Sequence, residues 1–173
     1  MFLLSALFHA GEASATESRK PSEYDVKAAY IYNFAKFVEW PPGKPQEVGA
    51  TMNVCVAGED PFGSALAAIE GKVAGGRKIR IRQNPPQPGQ GNCDILFISA
   101  SEREQLARVL EPVKDSSVLT IGDTKGFAQQ GVMINFYMEN KTVRFEINPK
   151  AAVRAGLKIS SNLLRIARIV GEP

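Results

Sequence analysis

The sequence has little histidine and cysteine, two residue types that often perform acid–base, nucleophilic or metal chemistry. It contains one histidine, His9, and two cysteines, Cys55 and Cys93, which form no CxxC pair. His9 lies in a segment that we predict to be removed, so the mature chain lacks the commonest catalytic base and any histidine-based metal site. No Ser–His or Cys–His constellation is available. We therefore predict that the protein is not an enzyme and needs no cofactor.

The sequence also lacks a strong excess of one charge and a long apolar run. Its formal net charge is only +3, and its Lys and Arg residues are scattered apart from one cluster at 77–82. That cluster alternates with Ile, which predicts charges on the solvated face of a strand and not a nucleic-acid surface. No stretch after the first residues is apolar enough to span a membrane. With 173 residues, 44% of them hydrophobic, the composition is typical of one globular domain.

The first fifteen residues differ from the rest of the chain. A short apolar run at 2–8 is followed by Ala13-Ser14-Ala15, which has the A-x-A pattern of a cleavage site. No Lys or Arg precedes the run, so the basic part of a signal sequence is missing. We predict a signal peptide over 1–15, a flexible linker over 16–23, and an α/β domain over 24–173.

Helical and strand patterns alternate through this domain. Apolar spacings of three and four predict a helix over 24–39, which Pro41 and Pro42 end. Short apolar runs predict strands at 52–58, 77–82, 93–98 and 118–121, with helices at 61–70 and 101–110 between them. A hairpin at 132–138 and 142–147, a helix capped by Asn148 and a final helix from Ser160 or Ser161 to Val170 follow. This order predicts a three-layer α/β fold, with a mostly parallel sheet and an antiparallel hairpin at one edge.

Two turns lie where a strand is predicted to end. Gly58 and Gly63 have the glycine spacing of a P-loop, but Ser64-Ala65 stands where Lys-Ser/Thr is required, so a turn and a helix cap are favoured over a phosphate site. Asp123 is either a ligand residue or the cap of a short helix over 125–129, and the cap is favoured.

Two groups of polar residues are candidates for ligand binding. Arg144, Glu146 and Asn148 share one face of a predicted strand, where they could bind a polar ligand or form cross-strand ion pairs. Lys158 and Ser160 precede the last helix, where free backbone N–H groups could hold an anion, although plain N-capping by the serine is more common.

The two cysteines fall on strands that are often neighbours in a doubly wound sheet. Cys55 lies within the first strand and Cys93 begins the strand after a Pro- and Gly-rich loop at 84–92. In an exported chain this placement favours a disulfide, and the alternative is two buried free thiols.

Five segments, taken in order from Asp25 to Val170, resemble the YfiR family. They are the helix Val26–Pro41, the turn Gly58-Glu59-Asp60-Pro61-Phe62-Gly63, the strand at 93–98, the run Arg144-Phe145-Glu146-Ile147-Asn148, and the segment at 156–164. The resemblance implies a periplasmic, Rossmann-like domain that commonly dimerises. It also implies that the protein binds the periplasmic domain of a membrane-bound diguanylate cyclase (YfiN-like), and that an outer-membrane lipoprotein (YfiB-like) can sequester it.

This resemblance gives our main functional hypothesis, a periplasmic repressor that lowers cyclic di-GMP signalling by protein–protein contact. The family is associated with two cysteine pairs. Cys55 and Cys93 match one, and no cysteine occurs in the 127–145 region, where the second is expected. The alternative hypothesis is a periplasmic receptor that captures a small polar molecule near Lys158, Ser160 and the Arg144 row, and signals through a membrane kinase or cyclase.

Overall fold

A mixed eight-stranded sheet organises the protein. The computed structural model describes residues 20–42, 50–83 and 93–171. The predicted signal peptide, linker residues 16–19 and the predicted loop at 84–92 lie outside these residues. The strands are β1 (Val38–Glu39), β2 (Thr51–Ala57), β3 (Val73–Ala74), β4 (Arg77–Gln83), β5 (Ile95–Ile98), β6 (Leu119–Gly122), β7 (Ile134–Glu139), β8 (Thr142–Ile147), β9 (Lys158–Ile159) and β10 (Arg168–Ile169). The helices are α1 (Glu23–Phe37), α2 (Leu106–Leu110), α3 (Pro149–Arg154) and α4 (Ser161–Ile166).

The strand order of the main sheet is β10-β8-β7-β6-β5-β2-β4-β3. The strands from β4 to β7 in this order run parallel to one another, and β8 is antiparallel to β7. A separate small sheet joins β1 to β9. The predicted α/β architecture is therefore confirmed.

The sheet is covered on both faces, which gives the three layers. On the first face, α1 begins at a capping box formed by Ser22 and Asp25 and buries an apolar stripe that includes Ile31 and Phe34. The Phe34 ring lies 5.0–5.7 Å, between centroids, from the rings of Phe136 and Phe145 on the hairpin. On the second face, α2 packs its own apolar residues over Leu96 and Ile98 of β5. No helix in the described ranges is long and apolar enough to cross a membrane.

The predicted hairpin is confirmed, with β7 and β8 joined by Asn140 and Lys141. Both turn residues have positive φ, which is the backbone that a two-residue hairpin loop requires. The hairpin is not the outermost element, however. The final helix ends at Ile166 instead of Val170, and Arg168–Ile169 pairs in parallel with β8. Tertiary pairing with an open strand edge has here overridden a helical pattern.

Two predicted helix starts differ in the structure. The helix predicted over 61–70 is reduced to a 3₁₀ turn at Ala65–Ala68, because Gly63 has a φ of +56°, which an α-helix excludes. Asp60 still accepts a hydrogen bond from the Phe62 N–H. The helix predicted from Ser101 begins as a 3₁₀ helix over Ala100–Gln105 that is capped by Ser99.

The outermost strands of the sheet are short. β3 and β10 have two residues each. β3 covers only the first two residues of β4. Farther along β4, the Ile81 N–H donates to the Glu70 carboxylate at 2.6 Å.

Candidate functional site

The direction of the chain crossovers reverses at β2. From β2 the chain passes to β4 on one side, and the connection packs Ala65 and Leu66 into the first-face core. The later strands β5 and β6 lie on the other side of β2, and their connection packs α2 onto the second face. In open α/β sheets, ligands bind outside the carboxyl ends of the strands at such a switch point.

A cleft of about 170 Å³ lies at this position, and we call it the carboxyl-edge cleft. It is formed by the residues that follow β2, β5 and β6, together with the first turn of α1. Its lining residues are Tyr24, Glu59, Asp60, Pro61, Ser99, Ala100, Ser101 and Asp123.

Gly58 allows two of the walls to approach closely. Its φ is +84°, and a Cβ atom at this position would overlap the hydroxyl oxygen of Ser101. The close approach lets the Glu59 N–H donate to Ser101 Oγ at 3.0 Å, while Ser99 Oγ and Ser101 Oγ lie 2.8 Å apart. The turn predicted at Gly58 is thus one wall of the cleft.

The opposite wall is held by a buried ion pair. Lys27 on α1 is 3% exposed, and its Nζ lies 2.8 Å from Asp123 Oδ2. Nζ also pairs with Glu23, one helical turn earlier, at 2.5 Å. The Tyr24 hydroxyl donates to the same Asp123 Oδ2 at 3.0 Å. Asp123 therefore does not cap a helix over 125–129 as predicted. The local helix is a 3₁₀ turn over Ala128–Gln130, and the carboxylate ties α1 to the end of β6.

Two pKa values are shifted in this cluster. Burial lowers the pKa of Lys27, but its hydrogen bonds with Asp123 and Glu23 outweigh burial, so the pKa of the ammonium group is raised. Burial, and then the adjacent Asp123 carboxylate, raises the pKa of the Tyr24 hydroxyl. Lys27 is thus held charged, and Tyr24 is held as a hydrogen-bond donor.

A second buried ion pair lies towards the amino ends of the strands. Arg77 Nη2 lies 2.7 Å from Asp94 Oδ2, which also accepts a hydrogen bond from the Asn53 N–H. The prediction that the basic cluster at 77–82 lines a solvated face is wrong for Arg77, which is 7% exposed. The reason is the strand period, because Arg77 shares its side of β4 with the buried Ile79.

The predicted disulfide is present. Cys55 and Cys93 are bonded, with their Cα atoms 5.8 Å apart, and β2 and β5 are neighbours as expected. Cys55 is 1% exposed. The bond joins the segment before β5 to the centre of β2 on the second face of the sheet.

The predicted ligand residues on β8 form contacts within the protein. Arg144 is exposed and lies 3.6 Å from the Glu139 carboxylate. Glu146 is buried and pairs with Arg168 at 2.6 Å. Asn148 is buried, and its side chain accepts from the Ala151 N–H as the cap of α3.

The other two predicted ligand residues lie elsewhere, near the small sheet. Lys158 is exposed and lies 3.8 Å from the Glu39 carboxylate. Ser160 caps α4 by accepting from the Leu163 N–H. The structure does not assemble the five residues into one site, and ligand binding by any of them stays a prediction.

A cavity of about 380 Å³ lies beside Lys158, between the end of α1 and the start of β4. Glu39, the partner of Lys158, lines it together with Trp40 and Arg77. The Trp40 Nε1–H is buried and has no hydrogen-bond partner among the described residues.

The sequence reasoning missed Tyr24 and Lys27 as site residues. A lysine at an otherwise core-facing position of α1 was the available signal, since lysine is seldom buried without a partner.

Comparison with known protein families adds a finding that concerns the whole domain. A family profile described as YfiR/HmsC-like matches residues 24–168.

Proposed function

Because the chain belongs to the YfiR/HmsC-like family, we propose that it is a periplasmic regulatory protein that binds and represses the sensing domain of a membrane-bound diguanylate cyclase. The observation that carries the proposal is the extent of the match. It begins at Tyr24 in the first turn of α1 and ends at Arg168 on β10, so it includes both covered faces of the sheet.

The chemistry of the chain supports regulation by binding. The chain has no histidine after His9 and its two cysteines form a disulfide, so neither an imidazole nor a thiolate is available for proton transfer or nucleophilic attack. A protein of this kind acts on a partner by binding one of the partner's states more tightly than the other. Repression then means tighter binding to the inactive cyclase, and cyclic di-GMP falls.

Two exposed apolar residues on neighbouring helices support the same proposal. Phe37 at the end of α1 is 39% exposed, and Ile166 at the end of α4 is 65% exposed. The two helices contact one another, and the Ser160 N–H that begins α4 donates to the Phe37 carbonyl. Exposed apolar patches with polar rims mark protein-interaction sites. We propose that this α1–α4 surface contacts the cyclase.

The test is binding between the chain from Thr16 onward and the periplasmic domain of the diguanylate cyclase encoded nearest to it. We expect binding by isothermal titration calorimetry in oxidising buffer, and a large loss of affinity for Ile166→Glu. Val153→Glu is the matched control, because Val153 is 74% exposed on α3, outside this surface. Absence of binding by the unmodified chain would refute the cyclase as partner, and equal loss in both variants would refute the α1–α4 surface.

Three further features belong to the same proposal. The chain forms a homodimer, an outer-membrane YfiB-like lipoprotein competes for it, and the disulfide keeps it competent to bind. Repeating the titration with dithiothreitol tests the last point. Loss of binding on reduction would support control through Cys55 and Cys93, and unchanged binding would show the bond to be only structural.

A small-molecule receptor is the second candidate function, and the cavity beside Lys158 favours it. The buried Trp40 Nε1–H has no acceptor among the described residues, and such a buried donor favours a ligand that can accept from it. In this second function the cavity, with Arg77 and Lys158 nearby, takes a small polar molecule. Saturating ligand would then change the affinity for the membrane partner.

A further inference from the structure

We propose that one face of β4 and β3 binds the surface of an anionic lipid bilayer. Its cations belong to the basic cluster at 77–82, which plays no part in the proposed function. We call this surface the basic row, and it consists of Lys78, Arg80 and Arg82 on β4 with Val73 on β3. The proposal does not depend on the cyclase as partner.

The three cations lie on one face of β4, because alternate side chains of a strand share a face. Lys78, Arg80 and Arg82 are exposed, whereas Arg77 and Ile79 on the opposite face are buried. Successive cations are therefore about 6.6 Å apart along the strand. They form a line of positive charge close to one edge of the sheet.

The second-face core does not extend to this face of β4. Arg82 is the register partner of Cys55 on β2, so the basic row and the disulfide lie on the same face of the sheet. Cys55 and Ala57 belong to the core under α2, but no described member of that core lies on β4 or β3. Strands that pair in parallel usually have both faces covered. A molecule outside the chain can therefore cover this face of β4.

The three cations have no carboxylate partner among the described residues. Arg82 Nε donates to the neutral side chain of Asn53 at 3.3 Å, and Lys78 and Arg80 have no ion pair in the described ranges. The Glu70 carboxylate accepts from a backbone N–H of β4 and offsets one positive charge. Three cations against one carboxylate leave the row positive.

The neighbouring segments of the sequence do not change this balance. The segment at 43–49 contains one Lys and one Glu, and the segment at 84–92 contains no charged residue. Exposed cations that lack a counter-charge attract an anionic partner.

The backbone of this edge is already occupied, which favours a lipid surface over an acidic peptide. A strand edge captures an extended peptide through backbone hydrogen bonds. On β4, however, the Ile79 N–H donates to the Lys72 carbonyl at 2.8 Å. The Ile81 N–H donates to the Glu70 carboxylate. A bilayer needs no backbone donor, because its charged headgroups attract Lys and Arg side chains directly.

An exposed apolar side chain completes the surface. Val73 is the register partner of Lys78 in the antiparallel β3–β4 pair, so the two side chains share a face, and Val73 is 53% exposed. Elements that lie on a membrane combine burial of apolar side chains with attraction to anionic lipids. Val73 can thus enter the headgroup region while the cations contact the lipid phosphates.

The test is co-sedimentation of the chain from Thr16 onward with lipid vesicles at low salt. This part contains every described residue and omits the apolar run at 2–8, which would itself insert into lipid. We expect binding to vesicles of equal parts phosphatidylglycerol and phosphatidylcholine, and none to phosphatidylcholine alone. Binding should disappear at high salt, because the Debye length falls from about 30 Å at 0.01 M to about 3 Å at 1 M. No binding to the anionic vesicles, equal binding to both kinds, or capture of a poly-glutamate peptide in place of the vesicles would overturn the proposal.

Two triple variants connect binding to the basic row, and each removes three positive charges from exposed positions. The row variant is Lys78→Gln/Arg80→Gln/Arg82→Gln. The control, outside the row, is Lys125→Gln/Lys141→Gln/Lys150→Gln. Each cation near an anionic surface contributes about fivefold in affinity, so the row variant should bind at least about tenfold more weakly than the control. A smaller difference would show that net charge and not the row attracts lipid, and would refute the assignment.

A single variant tests the apolar part of the surface. Val73→Ser should weaken vesicle binding by about threefold and leave its salt dependence unchanged. Unchanged affinity would refute the contact of Val73 with lipid.

Discussion

Replacing Lys27 with Met should destabilise the protein by about 3 kcal/mol. The substitution keeps the packing volume of the side chain but leaves Asp123, 7% exposed, with the Tyr24 hydroxyl as its remaining donor among the described residues. Removing one partner of a buried pair costs about 3–5 kcal/mol, because the other charge stays buried and uncompensated. We take the lower value because Glu23, the second partner of Lys27, is 41% exposed and can be solvated. In a chain of this size the melting temperature should fall by about 6–12 °C.

The assay is chemical unfolding followed by the fluorescence of Trp40, the only tryptophan in the chain, with circular dichroism as an independent probe. The informative comparison is the double variant Lys27→Met/Asp123→Leu, in which neither charge remains. It should recover much of the lost stability, because an apolar pair can replace a buried ion pair at little cost. A single variant that costs less than about 1 kcal/mol, or a double variant whose losses simply add, would show that the pair is not coupled as described.

The same cluster predicts how stability depends on pH. The folded-state pKa of Lys27 is raised, so its contribution is complete below the ordinary lysine pKa of about 10.4 and is lost as pH rises through the folded value. The raised pKa of Tyr24 acts with the same sign, so the comparison is made in a Tyr24→Phe background. There the unfolding free energy should fall more steeply as pH rises above about 10.4 in the protein that keeps Lys27 than in the one that also carries Lys27→Met. Parallel curves would contradict the assignment. Two other substitutions test separate parts of the fold. Changing both Cys55 and Cys93 to Ser should lower the unfolding free energy by about 2–4 kcal/mol, measured in urea, because the bond closes a chain segment with a separation of 38 residues. Arg168→Ala should cost about 2 kcal/mol by thermal unfolding, since it leaves Glu146, 4% exposed, without its cation, whereas Arg144→Ala, at an exposed pair, should cost less than about 0.5 kcal/mol. Equal effects of the two arginine substitutions would show that burial of Glu146 is not what matters.

Local sequence patterns predicted the strands and the hairpin turn well where the apolar pattern and the turn residues indicate the same structure. The apolar runs that became β2 and β5 were recognised because parallel strands buried on both faces read as continuous apolar segments. The adjacency expected of such strands favoured a disulfide between Cys55 and Cys93 over two free thiols, and the bond is present. The hairpin turn was similarly readable, because Asn140 tolerates the left-handed backbone that the turn needs.

The candidate site was less predictable because its parts are distant in sequence. Lys27 and Asp123 are 96 residues apart, and only the completed sheet brings the end of β6 beneath α1. The prediction for the end of the chain was wrong for a related reason. Residues up to Val170 have a helical apolar spacing, but the Val170 N–H donates to the Ile147 carbonyl across the edge of β8. A local sequence pattern contains no information about a hydrogen-bond acceptor that a distant strand supplies.

The short outer strands have a consequence for how this protein can assemble. A long unpaired strand edge offers a row of backbone groups onto which another molecule can add a strand. Here β3 and β10 offer two residues each, and the Glu70 carboxylate occupies the Ile81 N–H on β4. Growth of the sheet from molecule to molecule is thereby discouraged at the β3–β4 edge. A partner that approaches this edge must then select the protein by the shape and charge of its side chains.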